Sequence, residues 1–388
     1  MFKKNYFWAS NSVIISGLEL ILKHLSSGGL PFFGNVIMAH KSLTAIDLFC
    51  GAGGLTEGLK QAGFKVLGGV ELNKNAAHTY RLNHEESLCF EGDIRELSAD
   101  EIFKKLNLNK GELDLLAGCP PCQGFSTLRT RKKVLAHEDD RNDLIFEFLR
   151  LIKDLMPKAI MLENVPALAK DFRIQVFLEE LSSLGYLVDD TTVKIENAAD
   201  YGVPQRRKRL IIKASRVGKI ESTPVVNKKI TLRECFDSSN LGLAGQSGDW
   251  LHDYPQNRSD RVKDLISAIP KDGGSRKELP DHLVLDCHKN KPPQFTDVYG
   301  RMKWDDVSPT ITGGCASPSK GRFLHPEEHR CITLREASIL QTFPKTYKFP
   351  KIPKQEIALL IGNALPPEFI RRHALSIRNS LSVEKITA

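Results

Sequence analysis

The sequence predicts an α/β protein in which a doubly wound, mostly parallel sheet is joined to a smaller, loop-rich domain. Short apolar runs alternate with stretches of helical spacing from Leu43 to Ala214, as in parallel strands connected by crossover helices. A glycine turn, GAGG, follows the first run, at the edge where such sheets bind ligands. After Ala214 a stretch rich in Gly, Pro, His, Asp and Lys extends to about Phe323, which favours a separate lobe made largely of loops.

The elements of the sheet domain follow from local patterns. Apolar runs predict strands at LTAIDLF, KVLGGVEL, SLCFEGDI, ELDLLAG and KAIMLENV, and TTVKIENAADYGVP and RLIIKA continue the scheme. Helical spacing occurs in LTEGLKQAGF, NKNAAHTYRLN, VFLEELSSLGY and DLIFEFLRLIKDLMP, the last of which is stopped by Pro157. Regular spacing returns after the loop-rich stretch in TLREASILQTF, EIALLIGNAL and PPEFIRRHALSIRNSL, and the last two predict a helix pair that packs back on the first lobe.

Composition narrows the class of protein. The 388 residues are 41% hydrophobic and 26% charged, and no apolar run is long enough to span a bilayer, so no membrane partner is expected. Eight irregularly spaced cysteines without a credible signal peptide indicate reduced thiols in a cytoplasmic protein. The net charge of +8 suits a polyanionic partner such as nucleic acid.

The segment DLFCGAGG has the position of a cofactor-binding turn, because it follows the first strand. A dinucleotide fingerprint that starts at Gly51 and Gly53 needs a third glycine where this chain has Thr56, which weakens the nicotinamide interpretation. Glu71, at the end of the second strand, is placed to accept hydrogen bonds from a ribose diol.

The segment GCPPCQGFS is ambiguous when it is considered alone. Cys119 and Cys122 form a C-x-x-C, which occurs both in redox dithiols and as half of a zinc site. No second C-x-x-C or C-x-x-H pair follows, so no metal site is expected. A redox pair stays open, because a strand-to-helix junction lowers the pKa of a thiol.

Eight motifs in order resemble those of the DNA cytosine-5 methyltransferases, the modification enzymes of bacterial restriction-modification systems. They are DLFCGAGG, GVELN, GDI, GCPPCQGFS, ENV, QRRKR, TLREASILQTFP and IGNALPP, and they extend from Ala45 to about Phe369. The resemblance implies an S-adenosylmethionine-dependent methyltransferase fold and a duplex DNA substrate. Because the target atoms of cytosine lie inside the stacked duplex, it also implies base flipping.

The resemblance also assigns roles to individual residues. Cys122 is the nucleophile that adds to carbon-6 of cytosine, and Glu163 is the acid that neutralises N3 as the adduct forms. Arg207 and Arg209 steady the flipped base and the catalytic loop, whereas Cys119 is a bystander. The cofactor residues are Phe49, Gly51 and Gly53 at the methionine end, Glu71 at the ribose, Asp93 at the adenine amino group, and Asn363, which closes the pocket.

Four segments follow from this assignment. Residues 1–40 are an N-terminal extension that the working enzyme can lack, 41–213 the catalytic and cofactor-binding domain, 214–352 the target-recognition domain, and 353–388 the C-terminal helices that return to the catalytic domain. We expect a monomer in the bacterial cytoplasm, associated with the nucleoid through DNA. A functionally paired restriction endonuclease, without a stable complex, fits this class.

Three alternatives compete with this interpretation. An RNA cytosine-5 methyltransferase uses the same motifs, but the Cys-Phe-Thr signature of the tRNA-methylating relatives is not evident, and the long variable stretch from Ala214 favours duplex DNA. An inactive, binding-only relative is disfavoured because Cys122, Glu163 and both arginines are present. A dithiol oxidoreductase explains the C-x-x-C and none of the other motifs.

Overall fold

The computed structural model describes residues 42–121, 144–289 and 296–383. The strands are β1 Thr44–Leu48, β2 Lys65–Glu71, β3 Leu88–Glu91, β4 Leu115–Gly118, β5 Ala159–Asn164, β6 Val193–Asn197 and β7 Lys208–Ser215. The helices are α1 Gly54–Gln61, α2 Lys74–Asn83, α3 Ala99–Leu106, α4 Leu144–Leu155, α5 Phe172–Ser183, α6 Leu232–Ser239, α7 Asp260–Ala268, α8 Leu334–Leu340, α9 Lys354–Asn363 and α10 Pro367–Val383.

The seven strands form one sheet in the order β3-β2-β1-β4-β5-β7-β6. The first five strands of this order are parallel, whereas β7 is antiparallel to both β5 and β6. The chain steps outward from β1 to β3 and then crosses back to β4, so the strand order reverses beside β1. Ligands of doubly wound sheets bind at the carboxyl ends of the strands near such a reversal. The predicted doubly wound, mostly parallel sheet is confirmed.

Antiparallel β7 brings a basic segment to the carboxyl edge of the parallel strands. Its pairing with β5 matches Asn164 with Leu210 and Glu163 with Ile211. The amino-terminal end of β7 therefore lies beside the carboxyl end of β5. The segment QRRKR, which leads into β7, comes close to ENV, which ends β5.

Apolar side chains bury both faces of the sheet. On one face, α3, α4 and α5 pack against the strands, with Phe148 and Phe177 fully buried between them. On the other face, α1 and α10 pack against β1, β4 and β5, and α10 contributes Ile370 and Ile377. The burial of these periodic positions explains why the amphipathic pattern of α4 is visible in the sequence.

The loop-rich region, which is residues 216–363 from the end of β7 to the end of α9, has a core of its own. This second hydrophobic cluster contains residues of α6, α8 and α9 together with Ala52 from the glycine turn. Helix α8 begins with a capping box, in which Thr333 and Glu336 satisfy backbone donors of the first turn. Of the predicted C-terminal helix pair, α9 packs in this cluster and α10 packs on the sheet. Domain boundaries within 42–388 stay predictions.

Within the described ranges, no helix combines the length and the apolar character needed to cross a membrane.

Candidate active site

The glycine turn after β1 opens a space at the carboxyl edge of the sheet. Phe49, Gly51 and Gly53 have φ angles of 63°, 56° and 91°, so the chain reverses within a few residues. A Cβ built on Gly51 would have no heavy atom within 4 Å, which leaves its backbone accessible to a ligand. The peptide N–H of Gly53 donates to the Cys50 carbonyl at 2.9 Å and closes the turn.

Two carboxylates stand at the ends of the neighbouring strands. Glu71 accepts hydrogen bonds from the backbone N–H of Gly51 at 2.9 Å and of Asn73 at 2.7 Å, and burial raises its pKa. Asp93 follows β3 and accepts a hydrogen bond from the backbone N–H of Arg95 at 3.0 Å. The two acids and the open glycine turn surround one edge of the sheet, because β2 and β3 pair in register up to their last residues.

The segment IGNALPP lies against this turn. A Cβ on Gly54 would collide with the carbonyl oxygen of Leu365 and would lie 3.4 Å from the side chain of Ala364. Asn363 is exposed at the end of α9, immediately before these two residues. The structure thus brings Asn363 into the neighbourhood of the glycine turn, although 310 residues separate it from Gly53.

Glu163 is a buried carboxylate at the end of β5. Its side chain is 2% exposed at the end of β5, and Oε2 accepts a hydrogen bond from Sγ of Cys119 at 2.7 Å. Nε of Arg209 lies 2.7 Å from Oε1, a charge contact without hydrogen-bond geometry, so Oε1 accepts no hydrogen bond from the described residues. The charge of Arg209 compensates the burial of Oε1, and this oxygen keeps the capacity to accept a hydrogen bond from a ligand.

Cys119 is held as a neutral thiol. Burial raises its pKa well above the ordinary value, and the adjacent Glu163 carboxylate raises it further. A redox dithiol depends on a stabilised thiolate, which the surroundings of Cys119 oppose. Cys122, the predicted nucleophile, lies outside the described residues. The backbone that leads to it is fixed by Asn164, whose Nδ2 donates to the Pro120 carbonyl at 2.9 Å.

The two arginines of QRRKR have different surroundings. Arg209 contacts Glu163, as described above. Arg207 is 3% exposed, and its guanidinium donates to the backbone carbonyls of Ile311, Gly362 and Ala364 at distances of 3.0 to 3.3 Å. Burial lowers the pKa of Arg207 to about 9, and the charge of Arg209 adds to this effect. Arg207, the residue before β7, therefore connects the start of that strand to the loop-rich region and to IGNALPP.

Several residues near the site were not predicted from the sequence. Asp47 is fully buried in β1 and accepts a hydrogen bond from Oγ1 of Thr56 at 2.7 Å, and burial raises its pKa to about 8. Its position inside an apolar strand was a usable signal. Tyr347 of the loop-rich region donates to the carbonyl of Ala52 at 2.5 Å, and no local pattern indicates this contact.

Arg335 and Glu336, in the segment TLREASILQTFP, form ion pairs within the loop-rich region. Nε of Arg335 lies 2.5 Å from Asp249, and Glu336 pairs with Arg330 at 2.7 Å. Among the described residues, no group of three or more His, Cys, Asp or Glu side chains is arranged to hold a metal ion.

Comparisons with known proteins agree on one family. The family model for C-5 cytosine-specific DNA methylase matches residues 43–379. Type II methylase M.HgiDII of Herpetosiphon aurantiacus is 35% identical over 348 residues, which cover 87% of this chain and 95% of that protein. Type II methyltransferase M1.HphI of Haemophilus parahaemolyticus is 32% identical over 344 residues, with 87% of each chain covered.

A solved structure shows the same fold. It is the crystal structure of a protein assigned as a DNA modification methyltransferase and encoded within an Escherichia coli prophage. The match covers 88% of this chain and 100% of that chain, with a TM-score of 0.64 and 24% identity. The order of the motifs, the arrangement of the site and the extent of the family match lead to one conclusion: the chain belongs to the family of C-5 cytosine-specific DNA methylases.

Proposed function

We propose that this chain methylates carbon-5 of a cytosine within a specific duplex DNA sequence, as the modification enzyme of a restriction-modification system. The observation that carries this proposal is Glu163. It is a buried carboxylate at the end of β5, next to the backbone that leads to Cys122. One oxygen accepts a hydrogen bond from Cys119, and the other is paired by charge with Arg209 and accepts no hydrogen bond from the part of the chain that the structure describes. A cytosine offers the matching groups at N3 and N4.

The edge formed by the glycine turn suits S-adenosylmethionine. The open backbone at Gly51 fits the methionine end, Glu71 fits a ribose diol, and Asp93 fits the adenine amino group. Phe49 and Gly53 complete the turn, and Asn363 stands beside it. When bound, this cofactor supplies an electrophilic methyl group.

The residues of the chain make carbon-5 reactive. Cytosine is a poor carbon nucleophile, so the Cys122 thiolate adds to carbon-6 while a proton at Glu163 engages N3. The pair of electrons displaced by the thiolate then resides on carbon-5, which takes up the methyl group. A base removes the carbon-5 proton, and Cys122 leaves as the ring double bond forms again. Arg209, through its charge contact with Glu163, holds that carboxylate in place.

Recognition and chemistry occupy different parts of the chain in this proposal. Residues 41–213 carry the chemistry, 214–352 read the DNA sequence, and 353–388 complete the first domain. The enzyme extrudes the target cytosine from the duplex, because neither carbon-5 nor carbon-6 is accessible within the stack. It acts as a monomer in the cytoplasm, bound to nucleoid DNA, and a paired endonuclease needs no stable complex with it.

The test uses duplex DNA that carries 5-fluorocytosine at the target position, after sequencing of modified DNA has identified that position. Addition and methyl transfer proceed on this base, but fluorine does not leave as a cation, so the thioether to carbon-6 persists. We expect a covalent protein–DNA complex that requires S-adenosylmethionine, is absent in Cys122→Ser and remains in Cys119→Ser.

Other outcomes of this experiment contradict the assigned nucleophile or support one of the alternative functions. A complex that forms with Cys122→Ser contradicts the assigned nucleophile. A requirement for both cysteines, without the cofactor, indicates a redox dithiol. Methylation of an RNA of the same sequence in preference to the DNA duplex supports the RNA methyltransferase alternative. Glu163→Gln should slow formation of the complex strongly and leave DNA affinity nearly unchanged, because its hydrogen bond strengthens as charge develops.

A further inference from the structure

A buried tyrosine of the loop-rich region contacts the glycine turn from within the second hydrophobic cluster. Tyr347 is 3% exposed and belongs to the second hydrophobic cluster, which also includes Ala52 of the turn. Its hydroxyl donates to the Ala52 carbonyl at 2.5 Å and lies 3.0 Å from Nε2 of His84, the residue that follows α2. A Cβ on Gly53 would collide with the ring of His84 and with the hydroxyl oxygen of Tyr347, so both side chains are in direct contact with the turn.

The hydrogen-bond directions in this group are determined by its chemistry. Nζ of Lys60 lies 3.3 Å from Nδ1 of His84, and an ammonium group only donates, so Nδ1 is the acceptor. Burial lowers the pKa of His84 to about 4, and the charge of Lys60 contributes, so the ring is neutral at pH 7. The ring proton is therefore on Nε2, which faces both the Tyr347 oxygen and the backbone of Gly53. The phenol proton goes to the Ala52 carbonyl, because a carbonyl oxygen only accepts.

Further bonds keep Tyr347 in this place. The side-chain amide of Asn83 donates to the Lys348 carbonyl at 2.9 Å, and the Lys348 N–H donates to Oδ1 of Asn83 at 2.8 Å. A guanidinium nitrogen of Arg335 donates to the Tyr347 carbonyl at 2.9 Å. The chain at Tyr347 and Lys348 is thus bound to Asn83 of α2 by two hydrogen bonds and to Arg335 of α8 by one.

The turn needs such support because its conformation is unfavourable by itself. Phe49 has a φ of 63°, a conformation that is unfavourable for a bulky residue and persists only where the surroundings fix it. Gly51 and Gly53 also have positive φ, and glycine is the residue that loses most conformational freedom on ordering. A hydrogen bond at Ala52, between these positions, limits the rotation of the peptide planes.

We propose that Tyr347 is a positioning residue for the cofactor. Its hydroxyl, oriented by His84, holds the Ala52 carbonyl and keeps the glycine turn in the shape that receives the methionine end of S-adenosylmethionine. This inference rests on the proposed function, because it takes the turn to be the cofactor site. It makes the affinity of the catalytic domain for its cofactor dependent on a residue of the predicted recognition domain.

The test compares two single-atom deletions. Tyr347→Phe removes only the hydroxyl that contacts the turn. Tyr186→Phe is the matched control, since Tyr186 is also buried and also donates to a backbone carbonyl at 2.5 Å, that of Pro157. Pro157 precedes β5 and therefore lies at the opposite edge of the sheet. Both variants lose one buried hydrogen bond, so their losses of stability should be similar.

We expect the dissociation constant for S-adenosylmethionine, measured by calorimetry, to rise about 3- to 10-fold in Tyr347→Phe and less than twofold in Tyr186→Phe. The kcat at saturating cofactor should stay within twofold in both, because neither hydroxyl touches the reacting atoms. Without cofactor, the amide hydrogens of residues 50–54 should exchange faster in Tyr347→Phe only. Unchanged affinity and exchange in that variant would overturn the inference.

A second variant keeps the test decisive if Tyr347→Phe does not fold. Lys60→Met, at a side chain 31% exposed, removes the donor that keeps the ring proton of His84 on Nε2. It should weaken cofactor binding about 2- to 3-fold, while Lys105→Met, at an exposed lysine of α3, should not. Equal affinities in the two lysine variants would refute the role of His84 in orienting the Tyr347 hydroxyl. Absence of S-adenosylmethionine binding in the unaltered protein would instead refute the proposed function.

Discussion

Replacement of Arg207 by Met tests whether this arginine joins the parts of the active site. The guanidinium donates to three backbone carbonyls that belong to the loop-rich region and to IGNALPP. The Ala364 carbonyl also accepts from Gln341 at 3.1 Å, but the variant leaves the carbonyls of Ile311 and Gly362 without the guanidinium. Each buried carbonyl that loses its donor costs about 1–3 kcal/mol, so we expect a loss of about 4 kcal/mol in the free energy of unfolding.

The adjacent arginine provides the control. Arg206 is 57% exposed and pairs with Asp306, which is 40% exposed, at 2.8 Å. Such surface pairs contribute about 0–1 kcal/mol, so Arg206→Met should change stability little. Urea unfolding followed by circular dichroism measures both variants, and the melting temperature of Arg207→Met should fall on the order of 5–10 °C. Equal losses in the two variants, or a loss under about 1 kcal/mol for Arg207→Met, would refute this reasoning.

Three further predictions follow from the site. Glu71→Ala should weaken S-adenosylmethionine binding by about 1.5–3 kcal/mol through lost charge-assisted hydrogen bonds, and unchanged affinity by calorimetry excludes the ribose role. Asp47 has its pKa raised to about 8 by burial, so the folded state holds a proton that the unfolded state has released. Its contribution to stability should therefore be present below about pH 3.8 and be lost as the pH rises to about 8. In Asp47→Asn the free energy of unfolding should vary less with pH over this range. The same pH dependence in the variant and in the unaltered protein argues against the burial effect. Exchange of residues 214–323 with those of a relative should move the methylated sequence without abolishing transfer, and an active hybrid with an unchanged target places specificity elsewhere.

Much of the fold was predictable because its signals are local. The buried strands are continuous apolar runs, and α4 repeats apolar residues at helical spacing, so each element is visible without knowledge of its neighbours. The candidate acids were predictable for a related reason. Glu71 and Glu163 end such runs, and the carboxyl ends of parallel strands form the ligand-binding edge.

The contacts between distant segments were not predictable in this way. A basic cluster before a strand is usually a solvated turn, and Arg206 and Lys208 are indeed exposed. Arg207 is buried because its acceptors come from residues 104 to 157 positions away. Tyr347 meets Ala52 across 295 positions. No periodic pattern encodes these pairs, because they depend on how the loop-rich region folds against the sheet.

The position of α10 has a consequence for synthesis of the protein. Residues 367–383 cover the apolar side chains of α1 and of the central strands, although those strands are made first. A nascent chain that already contains the whole sheet therefore presents an uncovered apolar face to the cell until α10 has left the ribosome. During that interval we expect the chain to depend on chaperones that hold exposed hydrophobic surface.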